Sequence, residues 1–153
     1  MSSSIMSPFQ NSYTLDADHI LKAAGVIGAS AAVATVVDLG SSYYSGTLVV
    51  DVTAIEVAST DENYAIVAQG TNIAGFGTKT DVWDLGAILL GGGATGHYTD
   101  STAVDVIGRY TVGFTNRHGA SLLRYVRLYT VVAGAIASGI NYSAFLAKNP
   151  VGV

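Results

Sequence analysis

Three histidines, His19, His97 and His118, could in principle bind a metal or act as bases, but they lie far apart in the sequence. Histidine metal sites usually place two ligands on one short segment, and none of these has a second histidine two to four residues away. His97 precedes Asp100, and His118 precedes Ser121, each by three positions. A His and Asp pair in a loop is typically solvated, and no glycine pattern of a nucleophile elbow accompanies the serine. We therefore predict no metal site and no catalytic set.

Gly91, Gly93 and Gly96 form the spacing G-x-G-x-x-G after an apolar segment. In dinucleotide-binding folds the third glycine opens a helix whose N-terminus holds pyrophosphate. Here the residues that follow, HYTDSTAVDV, have little helical pattern, and no βαβ unit surrounds them. The motif therefore predicts a loop, and we expect no cofactor and no enzymatic activity.

The clearest secondary-structure signal lies at residues 122–148. Between residues 122 and 132, one set of alternating positions is mainly apolar, and the other carries Tyr125, Arg127 and Tyr129. Alternation rich in β-branched and aromatic residues predicts a strand. Gly134 and Gly139 bracket a turn, and alternation resumes at residues 140–147, so we expect a C-terminal β-hairpin.

A competing interpretation is a membrane-spanning helix, because twenty uncharged residues separate Arg127 from Lys148. Polar residues and glycines dilute this run, and its first half follows a period of two rather than 3.6. We therefore favour strands and expect no membrane partner.

Short alternating segments separated by turn residues recur along the rest of the chain, at residues 35–39, 47–58, 64–70, 81–90 and 103–116. Asp16 and Gly25 could begin and end a short helix before them. We predict an extended or short-helical N-terminal arm at residues 1–34. Residues 35–153 are expected to form an all-β domain, a jelly roll or β-sandwich of about eight strands.

The composition limits the classes of function. Half of the 153 residues are hydrophobic and only 12% are charged, with a net charge of −4 and seven scattered basic residues, so a nucleic-acid partner is not expected. The absence of cysteine excludes disulfides. Few charges suggest surplus apolar surface that is buried against copies of the chain, as a dimer or trimer, or against another protein. A surface rich in Ser, Thr, Asn and Gly explains the composition equally well.

The first ten residues lack the pattern of a signal peptide, which predicts synthesis in the cytoplasm.

Two groups of aromatic residues are candidates for a protein interface. Tyr125, Arg127 and Tyr129 share one side of a predicted strand, where Arg can stack on aromatic rings, and Tyr43 with Tyr44 could form a second patch. Alternatively, these tyrosines simply cover the second face of the sandwich.

Two stretches carry a family resemblance: VVDLG at residues 36–40, and RYVRLY at residues 124–129 followed by paired valines and by Gly134 and Gly139. They resemble the capsid cement proteins of tailed bacteriophages related to the Bordetella short-tailed phage, and the resemblance spans residue 36 to the C-terminus. It implies a jelly roll without enzymatic activity that lies on the outer surface of the virion, bridges major capsid proteins and stiffens the shell.

Two functions of different classes follow as hypotheses. The first is a capsid cement protein. The alternative is a glycan-binding jelly-roll module of a head or tail fibre, in which Trp83 and loop tyrosines stack on sugars. A cupin-type enzyme is opposed by the histidine spacing.

Overall fold

The computed structural model of this protein describes residues 17–59, 61–92 and 104–148. Two antiparallel sheets pack against each other, which confirms the predicted all-β sandwich. In the described ranges, helical residues are confined to two 3₁₀ turns, Ala17–His19 and Lys79–Asp81. None of the helices in these ranges is long and apolar enough to cross a bilayer.

The first sheet is organised around the C-terminal strand β12 (Ile140–Lys148). On one side β12 pairs with β5 (Ser45–Ile55), and β5 pairs in turn with β8 (Gly108–Thr115). On its other side β12 pairs with two short strands, β1 (Ile20–Lys22) and β2 (Val26–Ile27). All of these pairings are antiparallel.

The second sheet is organised in the same way around β11 (Tyr125–Ala133). On one side β11 pairs with β6 (Asn63–Thr71), which pairs with β7 (Trp83–Gly91). On the other side lie the short strands β3 (Ala31–Ala32) and β4 (Val37–Asp38). A separate small hairpin joins β9 (Arg117–His118) to β10 (Ser121–Leu122).

The connections follow a jelly-roll path. If β1 with β2 and β3 with β4 are each counted as one interrupted strand, the two large sheets of the described chain hold eight strand positions, in the orders 1-8-3-6 and 2-7-4-5. Consecutive strands mostly change sheets, as in a pair of interlocked Greek keys. Residues 20–32, which lie in the predicted N-terminal arm, thus pair with both sheets. The predicted boundary at residue 34 stays a prediction.

The short helix considered for residues 16–25 is not formed over the described residues 17–25. Only Ala17–His19 makes a 3₁₀ turn, and Ile20 and Lys22 pair with Phe145 and Ala144 of β12. The local helix signal was weak, and pairing with a buried strand overrides it.

The predicted C-terminal hairpin is wrong, although both of its strands exist. β11 and β12 lie in different sheets, and residues 134–139 connect the two layers. At Gly139, φ is +74° and a Cβ would lie 2.3 Å from the carbonyl oxygen of Ile27, so the connection passes too close to the backbone for a side chain. The Glu56 carboxylate holds it by accepting hydrogen bonds from the amides of Ala137, Ser138 and Gly139.

The core lies between the two sheets and is filled by one alternating set from each long strand. The even positions of β11 and β12 point inward, where the buried hydroxyls of Thr130 and Tyr142 share a hydrogen bond of 2.6 Å across the interior. The same core cluster contains the large, fully buried side chains of Leu21, Leu48, Tyr64, Ile66, Leu90, Leu128, Ile140 and Leu146.

Candidate functional site

The odd positions of β11 carry three of the predicted interface residues, and the structure places all three on the outer side of the second sheet. Tyr125, Arg127 and Tyr129 are half-buried there. Arg127 lies opposite Gln69 of β6, which lies opposite Asp84 of β7. Arg127 Nε donates to Gln69 Oε1 (3.2 Å), and Gln69 Nε2 donates to Asp84 Oδ1 (3.2 Å). These residues form a polar row across three strands.

Two apolar rows lie beside this polar row. Cross-strand neighbours in a sheet are close enough for their side chains to touch, so the rows form one continuous surface. Val131 and Leu89, which end one row, expose 40% and 38% of their surface. One apolar row consists of Tyr129, Val67 and Ala87, and the other consists of Val131, Ala65 and Leu89. The polar row and these two apolar rows together are called the outer face below.

The loop between β6 and β7 folds back over the Arg127 end of the outer face. Phe76 of this loop is buried, although its φ of +50° is unusual for a residue with a side chain. The Arg127 guanidinium lies 4.2 Å from the Phe76 ring centroid, and burial lowers the pKa of Arg127. A groove of about 460 Å³ remains between loop and sheet, lined in part by Lys79, Asp84 and Tyr129. Arg127 and Tyr129 therefore share one groove.

The structure does not bring Tyr43 and Tyr44 together as a patch. Tyr43 is 59% exposed, and hydrogen bonds with the side chains of Thr115 and Ser45 lower its pKa. The Tyr44 ring is buried and packs edge-on against Phe114, with 5.9 Å between centroids. Only Tyr43 of this pair is therefore placed to meet a partner.

The two stretches that carry the family resemblance lie side by side. Asp38 of β4 is opposite Tyr125 of β11, and Arg124 Nε and Nη2 donate to the Asp38 carboxylate at 2.7 and 2.8 Å. The backbone N–H of Leu39 donates to the Arg124 carbonyl (2.8 Å). This hydrogen-bonded guanidinium, together with the Gly40 N–H, holds the pKa of Asp38 at about 2.

A second site surrounds Trp83 at the start of β7; the sequence suggested Trp83 as a stacking residue but not the residues that the fold gathers around it. Trp83 is 42% exposed, and its ring stacks on His118 of β9 with 4.1 Å between centroids and 18° between planes. The two rings line a cleft of about 240 Å³. Asn72, Asp81 and Ser121 contribute polar groups to the same cleft. No spacing rule links these segments, because the β9–β10 hairpin meets β7 only in the folded chain.

No group of three or more residues in the described ranges is arranged to hold a metal ion. His97, Asp100, Gly93 and Gly96 lie outside the described residues. His118 and Ser121 are paired across the β9–β10 hairpin, and His118 stacks on Trp83.

Comparison with models of known protein families finds no match to this chain, and no curated protein matches it.

Proposed function

We propose that this protein is a non-enzymatic structural protein that binds the outer surface of a phage capsid, bridges major capsid proteins and stabilises the head. The observation that carries the proposal is the outer face, where two apolar rows of a sheet are left uncovered beside a polar row. The exposed face of a two-layer sandwich is normally polar, and a continuous apolar surface rimmed by charge is typical of a protein contact. Leu89 and Val131 would supply apolar contacts, while Arg127 and Asp84 would fix the orientation of the partner.

The resemblance suggests which partner this is. The fold is the jelly roll that the resemblance implies, and the ion pair of Asp38 with Arg124 joins the two stretches that carry it. A net charge of −4 suits the outside of the shell better than its DNA-filled interior.

Self-association as a dimer or trimer on the shell belongs to the same proposal. A symmetric lattice offers many equivalent positions, and linking copies lets individually weak contacts act together. The protein would then need no catalytic group to stabilise the head.

The test is binding of the purified protein to heads that lack it. We expect the wild-type protein to bind in stoichiometric amounts. Leu89→Glu with Val131→Glu should weaken binding at least tenfold, because each substitution places a charge in an apolar contact. Val106→Glu is the matched control, since Val106 is 67% exposed but precedes β8 of the other sheet.

Two results would count against the proposal in different ways. If the wild-type protein does not bind heads, the function is wrong. If it binds and the double variant, with an unchanged circular dichroism spectrum, binds equally well, the contact lies elsewhere than on the outer face. The alternative function, a glycan-binding module, depends on Trp83, whose surroundings favour a separate saccharide site on the same molecule.

A further inference from the structure

We propose that the cleft beside Trp83 binds a single neutral sugar ring, and that it does so independently of capsid binding. Sugars present an apolar face of C–H groups and a rim of hydroxyls, so their sites combine an aromatic ring with hydrogen-bonding groups directed at the rim. The stacked rings of Trp83 and His118 provide the aromatic wall of this cleft. Both side chains are exposed, so a ligand can reach them.

The polar groups of the cleft are held in place by bonds within the chain. Asp81 Oδ2 accepts a hydrogen bond from Thr78 Oγ1 (2.8 Å), and Asn72 Oδ1 accepts one from the Arg124 backbone N–H (2.9 Å). A carboxylate can accept from two neighbouring sugar hydroxyls, and such charge-assisted bonds are stronger than neutral ones. The Asn72 amide NH₂ group adds a donor, and Ser121 adds a hydroxyl.

The walls come from separate segments that the fold fixes against one another. Thr71, at the end of β6, and Leu123, before β11, are buried at the base of the cleft. The Leu123 N–H donates to the carbonyl of Asn116 (2.8 Å), which anchors the β9–β10 hairpin that carries His118. A preformed site loses little conformational entropy on binding. Ligands that make few strong contacts, such as sugars, can therefore still bind to it.

The size and charge of the cleft define the class of ligand. Its volume of about 240 Å³ is below the roughly 300–1,000 Å³ of pockets that hold drug-sized molecules, so it suits one ring rather than a long oligosaccharide. A nucleic-acid base could also stack on the indole, but the Asp81 carboxylate repels a phosphate backbone. The same repulsion disfavours anionic sugars and leaves neutral hexosides as the expected ligands.

The test uses the fact that Trp83 is the only tryptophan of the chain. Methyl glucoside, galactoside, mannoside and N-acetylglucosaminide are titrated into the full-length protein, with sialyllactose as the anionic comparison. Stacking of a sugar should change the indole fluorescence directly, and saturation-transfer NMR provides a readout that does not need tryptophan. We expect at least one neutral hexoside to bind, with roughly millimolar affinity as is usual for small ligands of this size.

Matched variants separate the roles of the side chains. Trp83→Ala and Asp81→Asn should each weaken saccharide binding at least tenfold in the NMR experiment, while Trp83→Phe keeps a stacking ring and retains most of it. Tyr43→Ala, which removes an exposed aromatic ring outside the cleft, should have no effect. Trp83→Ala should bind heads normally, and Leu89→Glu should bind the sugar normally. Each variant therefore tests one site while the other site stays intact.

Three results would overturn the inference. One is the absence of fluorescence and NMR responses to every neutral hexoside at its highest soluble concentration. Another is undiminished binding by Trp83→Ala. The third is tighter binding of sialyllactose than of any neutral sugar, which would exclude the proposed ligand class.

Discussion

Asp38 and Arg124 show how individual residues attach a short edge strand to the second sheet. β4 contains only Val37 and Asp38, and it pairs with β11 over two residues. The Arg124 side chain adds two charge-assisted hydrogen bonds to this minimal pairing. Both side chains are about half exposed, so their attraction is screened by solvent, and the main effect of the pair is to fix the position of β4.

We predict that Asp38→Asn reduces the loss of stability in acid. In the folded protein the pKa of Asp38 is about 2, below its ordinary value of 3.8. The carboxylate therefore contributes stability that is present above about pH 4 and is lost as the pH falls through 2. Asparagine does not titrate, so this part of the pH dependence should disappear. Urea unfolding at a series of pH values between 2 and 6 measures it.

Other carboxylates contribute to the acid dependence, so the effect should be partial. Hydrogen bonds from Arg109 lower the pKa of Asp51, and backbone amides of the connection between β11 and β12 lower that of Glu56. Asp105→Asn, at an exposed position, is the control. An unfolding free energy of Asp38→Asn that falls between pH 4 and 2 as steeply as that of the wild-type protein would contradict the prediction.

At the scale of the element, β11 and β12 are joined through their side chains rather than through their backbones. They lie in opposite sheets, and their hydroxyl-bearing residues Thr130 and Tyr142 meet in the core. Burial raises the pKa of Tyr142 to about 12, so the phenol stays neutral and can share its proton with Thr130. Each hydroxyl satisfies the other where water is excluded.

We therefore expect a double-mutant cycle at this pair to show strong coupling. Tyr142→Phe leaves the Thr130 hydroxyl buried without its partner, which should lower the free energy of unfolding by about 1–3 kcal/mol. Thr130→Val leaves the Tyr142 hydroxyl without this partner and should also lower the free energy of unfolding. The double variant replaces the polar pair by apolar groups and should be less destabilised than the sum of the single variants. Urea unfolding measures all four proteins, and strictly additive effects would contradict the coupling.

The sequence predicts the strands better than it predicts their neighbours. Alternation alone was enough to place Tyr125, Arg127 and Tyr129 on the same side of β11. It could not show that β12 pairs with β5 instead of β11, because a period of two specifies which side chains face the core but not which backbone lies alongside. Nor could it separate exposed Tyr43 from buried Tyr44, which lie in a loop without periodicity.

The Trp83 cleft was beyond prediction for a related reason. The exposed tryptophan could be proposed from its residue type, but its stack on His118 depends on the docking of the β9–β10 hairpin against β7. Contacts of this kind between distant segments leave no local pattern. The sequence points to the aromatic residue, and the fold adds the polar residues that line the same cleft.

At the scale of the whole molecule, the jelly roll depends on the last strand for its first sheet. β12 pairs with β5 on one side and with β1 and β2 on the other, so among the strands that the structure describes β1 and β2 join the sheet through β12 alone. It also buries Ile140, Tyr142 and Leu146 completely. Burial of an aliphatic side chain such as Ile or Leu contributes about 1.5–3 kcal/mol. Losing all three residues would remove much of the roughly 5–15 kcal/mol that stabilises a typical protein.

We predict that a chain ending at residue 139 does not fold, and that a peptide of residues 140–148 restores the fold when added. Without β12, β5 loses a pairing partner over nine residues and the core is open on one side. The peptide can regain these pairings by adding to the sheet as a strand, as in strand complementation. Far-ultraviolet circular dichroism should show a β spectrum only for the mixture, and a peptide of scrambled order should not restore it. A truncated chain that shows the wild-type spectrum and cooperative unfolding without peptide would mean that β12 only covers a sandwich able to form without it.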